Sequence, residues 1–172
     1  MKLSDLMKNV KPKPEFEGVV TAGDYVLAVD FSGNASGPAD YIVADNGVTE
    51  QSGTLEATTA ESTYLRGGTS ETKTGTKRTF TVAGDRIAKD EFQEALLSHN
   101  IKFGIGQEVI KPYVYFCMLT GHGEQGSLSI VVEDDEGGEA GSNATWSAKL
   151  TAKGTPKEYT YAAVASAASS SK

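Results

Sequence analysis

The segments Thr59-Ala60-Glu61-Ser62-Thr63-Tyr64-Leu65 and Thr76-Lys77-Arg78-Thr79-Phe80-Thr81-Val82, with Gly67-Gly68 and Gly75 between them, decide how this sequence is read. Both show the alternation of a β-strand, whose successive side chains point to opposite faces. Little in them can be buried: across residues 49–81 the only large apolar residues are Leu55, Tyr64, Leu65 and Phe80. The pattern predicts a long two-stranded arm around a polar loop that contains the three glycines. A lone ribbon that is polar on nearly both faces is marginal in water, so this one needs neighbours. An irregular Thr-rich loop is the plainer reading. The functional one is that the arm pairs edge to edge with equivalent arms of other copies, satisfying its backbone groups in a closed barrel.

N-terminal to the arm, Tyr25-Val26-Leu27-Ala28-Val29-Asp30-Phe31 is bounded by Gly23-Asp24 and Ser32-Gly33 and reads as a strand buried on both faces. Tyr41-Ile42-Val43-Ala44 is a short strand, and Asn46-Gly47 after it carries a strong hairpin signal, so paired strands are expected on either side. Residues 1–17 contain Lys11-Pro12-Lys13-Pro14, whose prolines fix extended backbone and remove donors. They read as an arm rather than a core element.

C-terminal to the hairpin, Asp90 is placed to cap a helix of about ten residues, with Gln93 at the capping-box position and Phe92, Ala95 and Leu96 as an apolar stripe. Ser98-His99-Asn100 is read as its end. Lys111-Pro112 interrupts the chain before Tyr113-Val114-Tyr115-Phe116-Cys117-Met118-Leu119, the most apolar strand. Residues 127–132 and 146–152 alternate around an acidic loop, residues 133–139. Gly154-Thr155-Pro156 then turns into a last strand, residues 158–162. Three parts follow: an N-terminal arm (1–17), a β domain (18–164) and a small, polar, disordered tail (165–172).

The chain has 172 residues, 38% of them apolar, and a formal net charge of -7. That length suits one domain, and that charge argues against gripping nucleic acid by neutralising phosphates. No stretch approaches the roughly 18 apolar residues of a membrane span, and the lysine-bearing start lacks an apolar signal core, so a cytoplasmic protein is expected.

Chemistry is hard to find. The single cysteine, Cys117, lies in an apolar run and reads as a buried thiol. His99 and His122 have no nucleophile or second ligand at motif spacing, and zinc needs more Cys and His than the chain owns. The 133–139 cluster has the oxygen-rich composition calcium favours but not EF-hand spacing; a solvated loop is the simpler reading. Gly104-Ile105-Gly106 lacks the third glycine of a dinucleotide fingerprint. No cofactor, metal or catalytic residue is assigned. Arg66, Lys73, Lys77 and Arg78 give the arm local positive charge, interleaved with Glu61 and Glu71 as a solvated ladder.

The order of these parts resembles the major tail (tail tube) proteins of long-tailed bacteriophages of Gram-positive hosts. The resemblance rests on Thr76-Lys77-Arg78-Thr79-Phe80-Thr81-Val82-Ala83-Gly84-Asp85 followed by Asp90-Glu91-Phe92-Gln93. It also rests on Lys102-Phe103-Gly104-Ile105-Gly106-Gln107-Glu108-Val109 leading to Pro112-Tyr113-Val114-Tyr115-Phe116, and on Gly154-Thr155-Pro156.

The resemblance implies a mainly β fold with one flanking α-helix, a β-sandwich or partial barrel with a long hairpin. It implies a non-enzymatic virion subunit, assembled in the host cytoplasm into stacked hexameric rings around a tape-measure protein. A tail terminator and a distal tail protein would be further partners, and phage DNA would pass through the lumen without sequence-specific binding. On this reading Thr59, Glu61, Thr63, Arg66, Lys73, Lys77 and Arg78 belong to a lumen or inter-subunit hairpin. Asn46, Gly47, Asp134 and Asp135 are candidates for ring-stacking contacts. The alternatives are a secretion-system or contractile-apparatus tube protein, and a monomeric β-sandwich surface-binding module, which should expose aromatic rings on one face.

Overall fold

A computed structural model describes residues 1–34 and 37–161; the 165–172 tail lies outside the described residues. Eight strands form one antiparallel sheet: β1 (Tyr25–Val29), β2 (Ile42–Val43), β3 (Val48–Tyr64), β4 (Gly68–Asp85), β5 (Ile110–Cys117), β6 (His122–Gly137), β7 (Thr145–Ala152) and β8 (Lys157–Thr160). Their order is β2-β1-β5-β6-β7-β4-β3, and β8 takes the part of the β6 edge that β7 leaves free. The helices are short: α1 (Leu3–Leu6), α2 (Glu91–Leu96) and α3 (His99–Lys102).

The sheet curls on itself because its apolar side chains fall on one face. Leu27 and Val29 of β1 share a buried cluster with Phe80 and Val82 of β4, Leu128 and Ile130 of β6, and Trp146, Ala148 and Leu150 of β7. Phe92, Leu96, Leu97 and Ile101 close this core from the helical segment. Gln51 of β3 reaches the carbonyl of Tyr25 on β1 at 3.2 Å. No ladder joins those two strands among the described residues, so the structure is a partial barrel of the β-sandwich type rather than a closed one.

β1 is buried on both faces, as its continuous apolar character predicts. Val26 and Ala28 point away from the main core into a second cluster with Val114, Phe116 and Val43. Leu3 and Met7 complete it, at 0% and 3% exposure. The first residues are therefore core-forming at their apolar positions, unlike the arm expected. Their backbone is tied in as well, through Leu3 N–H to Tyr41 O and Val43 N–H to Met1 O, both 2.9 Å.

Four further expectations are corrected. Asn46-Gly47 forms a turn, but the strands flanking it do not pair: β2 pairs with β1, and β3 with β4. The turn is clamped elsewhere, by Asp85 N–H on Gly47 O at 2.8 Å and Gln93 Nε2 on Asn46 O at 2.9 Å. The expected single helix is split, because Ser98 is the N-cap of α3 rather than the end of α2. Lys111-Pro112 does not interrupt β5. Within a strand a residue's carbonyl and N–H point to the same side, and Pro112 O takes Asp30 N–H at the end of the β1 ladder. The missing donor thus faces away from β6, and only the reciprocal bond to Asp30 O, one step past the last β1–β5 pair, is forgone. Residues 133–137 continue β6 instead of forming a loop.

Asp90 caps α2 as read, accepting Gln93 N–H at 3.0 Å. The Gln93 side chain, fully buried, turns the other way: it accepts Ile87 N–H at 2.7 Å and donates to Asn46 O and Asp85 O. It bolts the helix to the two strand ends beneath it.

Candidate assembly surface

The hairpin β3–β4 is longer than its sequence pattern suggested. Pairing runs without a polar loop from Val48↔Gly84 to Tyr64↔Gly68, so residues 68–75 are strand. Only Leu65, Arg66 and Gly67 make the turn, and Gly68 takes φ +73°, the left-handed conformation a three-residue hairpin loop calls for. On the tip side of Thr79 the ribbon has no strand neighbour from the body, since β7 pairs only with residues 79–85 of β4. At about 3.3 Å per residue, residues 68–78 project roughly 35 Å.

The register sorts the arm into two faces. Leu55, Ala57, Thr59, Glu61 and Thr63 alternate along β3 and stand opposite Arg78, Thr76, Lys73, Glu71 and Thr69. This face continues the core face of the body, because Phe80 and Val82 lie on it two and four residues past Arg78. Glu56, Thr58, Ala60 and Ser62, opposite Lys77, Gly75, Thr72 and Ser70, form the other. A register shift between Thr58 and Thr59 inserts Thr74 as an extra residue, and its hydroxyl donates to Thr58 O at 3.1 Å. This bulge holds Lys73 and Glu71 on the face of Thr59 and Glu61.

Of the residues singled out in the sequence, Thr59, Glu61, Thr63 and Lys73 are exposed together on one face. Lys77 is exposed on the other, and Arg66 sits at the tip. Arg78 does not belong to a solvated ladder. It is 8% exposed at the root of the arm, its Nε donating to Glu124 Oε1 at 2.8 Å and its guanidinium lying 4.3 Å from the Phe80 ring centre. The Tyr113 hydroxyl shares the same carboxylate oxygen at 3.1 Å. Burial, then the Glu124 charge, pushes the Tyr113 hydroxyl well above its usual range. Glu124 was not identified from sequence. Glu124 is 46 positions from Arg78, and no local pattern connects them.

Asn46 and Asp134 are exposed but engaged: Asn46 O accepts Gln93, and Asp134 Oδ2 accepts Ser147 Oγ at 2.8 Å. Gly47 is half-buried against α2. Asp135 pairs with Lys102 at 2.7 Å, and Glu136 with Arg86 at 2.8 Å. The acidic stretch thus fastens β6 to the helical segment. Arg86 also holds Glu94 at 2.6 Å, and that hydrogen bond draws the Glu94 carboxyl below its ordinary value.

Among the described residues, no three His, Cys, Asp or Glu side chains stand close enough to share a metal ion. Cys117 is buried, and the His99 ring lies against Phe103 at 4.9 Å. Trp146, Tyr113, Phe80 and Phe116 are all buried, and the exposed rings among the described residues include Phe16, Tyr25, Tyr64 and Phe103. No helix among the described residues is long and apolar enough to cross a membrane.

This architecture has solved counterparts. A chain in the "Tail of empty GTA particle computed with helical refinement, C6 symmetry" superposes with a TM-score of 0.61 and 16% identity, over 83% of this chain and 100% of that one. A chain in the virion of a native gene transfer agent particle superposes with a TM-score of 0.55 and 14% identity, over 81% and 98%. The two share the fold with this protein. No protein-family model matches the sequence, and no curated protein matches it either.

Proposed function

We propose that this chain is a structural, non-enzymatic subunit of a phage-type tail, the tube protein that assembles into stacked hexameric rings and encloses a channel for DNA. The observation that carries the proposal is its fold, shared over the full length of a chain from a C6-symmetric particle tail. The hairpin supplies the physical means: among the described residues, β3 has one strand partner and residues 68–78 of β4 have no second one. Long unpaired edges are a liability in a monomer and a template for pairing in an assembly. Six copies joined edge to edge would turn that liability into a closed wall.

The sequence resemblance supplies the finer description: a major tail protein of a long-tailed phage, located in the virion tail and assembled in the host cytoplasm. Tape-measure, terminator and distal tail proteins would be its partners, and DNA would pass without specific binding. The test is negative-stain electron microscopy of the purified protein at rising concentration. Rings or hollow tubes with six-fold end views are expected. Monomers at every concentration, confirmed by light scattering and unchanged when preformed tail ends are added as initiators, would remove the proposal.

A further inference from the structure

We infer that the two faces of the hairpin have separate fates in the tube: the face of Glu56, Thr58, Ala60, Ser62, Thr72 and Lys77 lines the channel, and the face of Leu55, Ala57, Thr59 and Glu61 is covered by the next copy of this chain. The inference rests on the tube reading above and adds to it the orientation of each residue.

Side-chain parity along the strands decides the assignment. In a closed sheet, alternate side chains of every strand point in and out, and hydrogen bonding to neighbours keeps that parity along the strand. In the body, one face of β4 and β7 is already occupied: Phe80, Val82, Trp146, Ala148 and Leu150 are buried beneath α2 and α3. That face cannot also be a channel wall. The opposite face of the same strands, with Thr81 opposite Lys149, is the one left for the channel. Following the strands outward, Thr81 and Thr79 share parity with Lys77, while Phe80 shares it with Arg78, Thr76 and, across the ladder, Leu55 and Ala57. The bulge at Thr74 preserves this division toward the tip, as Lys73 still faces Thr59.

The chemistry of the two faces agrees. The channel face carries threonines, serines, an alanine, one opposed pair, Glu56 and Lys77, Tyr64 next to the tip and the exposed Lys149 in the body, so it offers DNA neither a dense positive surface nor a continuous apolar one. Duplex DNA bears about one negative charge per 1.7 Å, and a wall it must slide along cannot hold many unpaired cations. The covered face holds what is awkward in water. Leu55 is 66% exposed beside a groove walled by Thr155 and Pro156, and Glu61 stands directly across from Glu71, a like-charged pair that is unfavourable in an isolated ribbon. Nothing of the chain's own described residues lies over Thr59 or Thr63, which are exposed. The occupant is a second copy because the arm projects roughly 35 Å past its own body, and in stacked rings of identical subunits it is other copies that stand within that reach.

Adjacent residues give a matched test in the full chain: Thr58→Arg against Thr59→Arg, and Ser62→Trp against Thr63→Trp. All four sites are exposed and outside the core, so melting curves should match the wild type; any variant that does not is discarded. Tube yield by sedimentation and electron microscopy should fall at least about tenfold for T59R and T63W, as expected when an unpaired charge or excess bulk is forced into an interface. T58R and S62W should still build tubes, with a channel visibly narrowed by stain. The opposite pattern, or equal loss or equal tolerance on both faces while wild-type tubes form, overturns the inference. Wild-type protein that forms no rings removes the tube reading and this inference with it.

Discussion

The body and the arm of this chain are made from the same two-residue alternation, yet only the body carries its own core. In β7 the alternate positions are Trp146, Ala148 and Leu150, all buried; in the outer part of β3 they are Ala57, Thr59 and Glu61, all exposed. The backbone is equally regular in both. What differs is the area removed from water, worth about 25 cal/mol per Å² of apolar surface. The comparison teaches that secondary structure and stability come apart here. The arm is a strand pair by register and turn chemistry, while its lasting order must be completed from outside the chain.

The comparison breaks first at the core. Phe92 is fully buried, with its ring 5.5 Å from Phe31 and 6.3 Å from Trp146. Phe92→Ala should destabilise the monomer by about 3–5 kcal/mol in denaturant titration. Replacing residues 57–76 with a tight turn should leave the unfolding midpoint almost unchanged. A large loss on arm removal would show that the arm supports the body after all.

Gln93 sharpens the same contrast through polar groups. Its amide satisfies three backbone atoms in a site without solvent, so Gln93→Leu strands them and should cost on the order of 2–4 kcal/mol. Gln93→Glu, which sets a carboxylate oxygen against the Asn46 and Asp85 carbonyls, should cost at least as much. Equal stability of Q93L and wild type would mean that water replaces the amide.

Arg78 marks the seam between the two regions. Arg78→Met keeps the apolar stem over Phe80 but leaves Glu124 without its cation, and a loss of about 2 kcal/mol is expected. Assembly should suffer beyond that, because the guanidinium fixes the angle at which the arm leaves the body. A variant as stable as wild type, with normal tubes, would make Arg78 a passive filler.

Much of this organisation was legible in the residues. The alternation around residues 59–82 announced the arm, the apolar run at Tyr25 a doubly buried strand, and Asp90 the start of a helix. Register was not legible. Asn46-Gly47 has the composition of a hairpin turn, and only tertiary partners, Asp85 and Gln93, determine that its flanking strands pair elsewhere. The three glycines around residues 67–75 read as a loop because composition does not show which one takes positive φ; Gly68 does, and the turn closes there. Leu3 and Met7 were read as arm because their partners, Val26, Val114 and Phe116, are distant in sequence. Of the candidate residues, Thr59, Glu61 and Thr63 share a face as alternation along β3 requires, whereas the bulge at Thr74 sets Lys73 and Lys77 on opposite faces and Arg78 followed a partner that no local pattern contains.

Alkali offers the gentlest way to separate body from arm. Tyr159 packs its ring 5.5 Å from Phe116 at the edge of the second core cluster. Burial raises its hydroxyl from the ordinary 10.0 to about 12, and the neighbouring Tyr161 and Tyr41 add to the effect. The folded state therefore holds this proton more tightly than the unfolded chain does. The stability tied to it is intact below pH 10 and is lost progressively as the pH rises toward 12. Thermal midpoints should fall between about pH 8 and about pH 11, and Tyr159→Phe should make that fall shallower without changing its sign, since other buried tyrosines titrate in the same direction. An alkaline slope that Tyr159→Phe leaves unchanged would mean that this phenol is not held against Phe116, against the division drawn here.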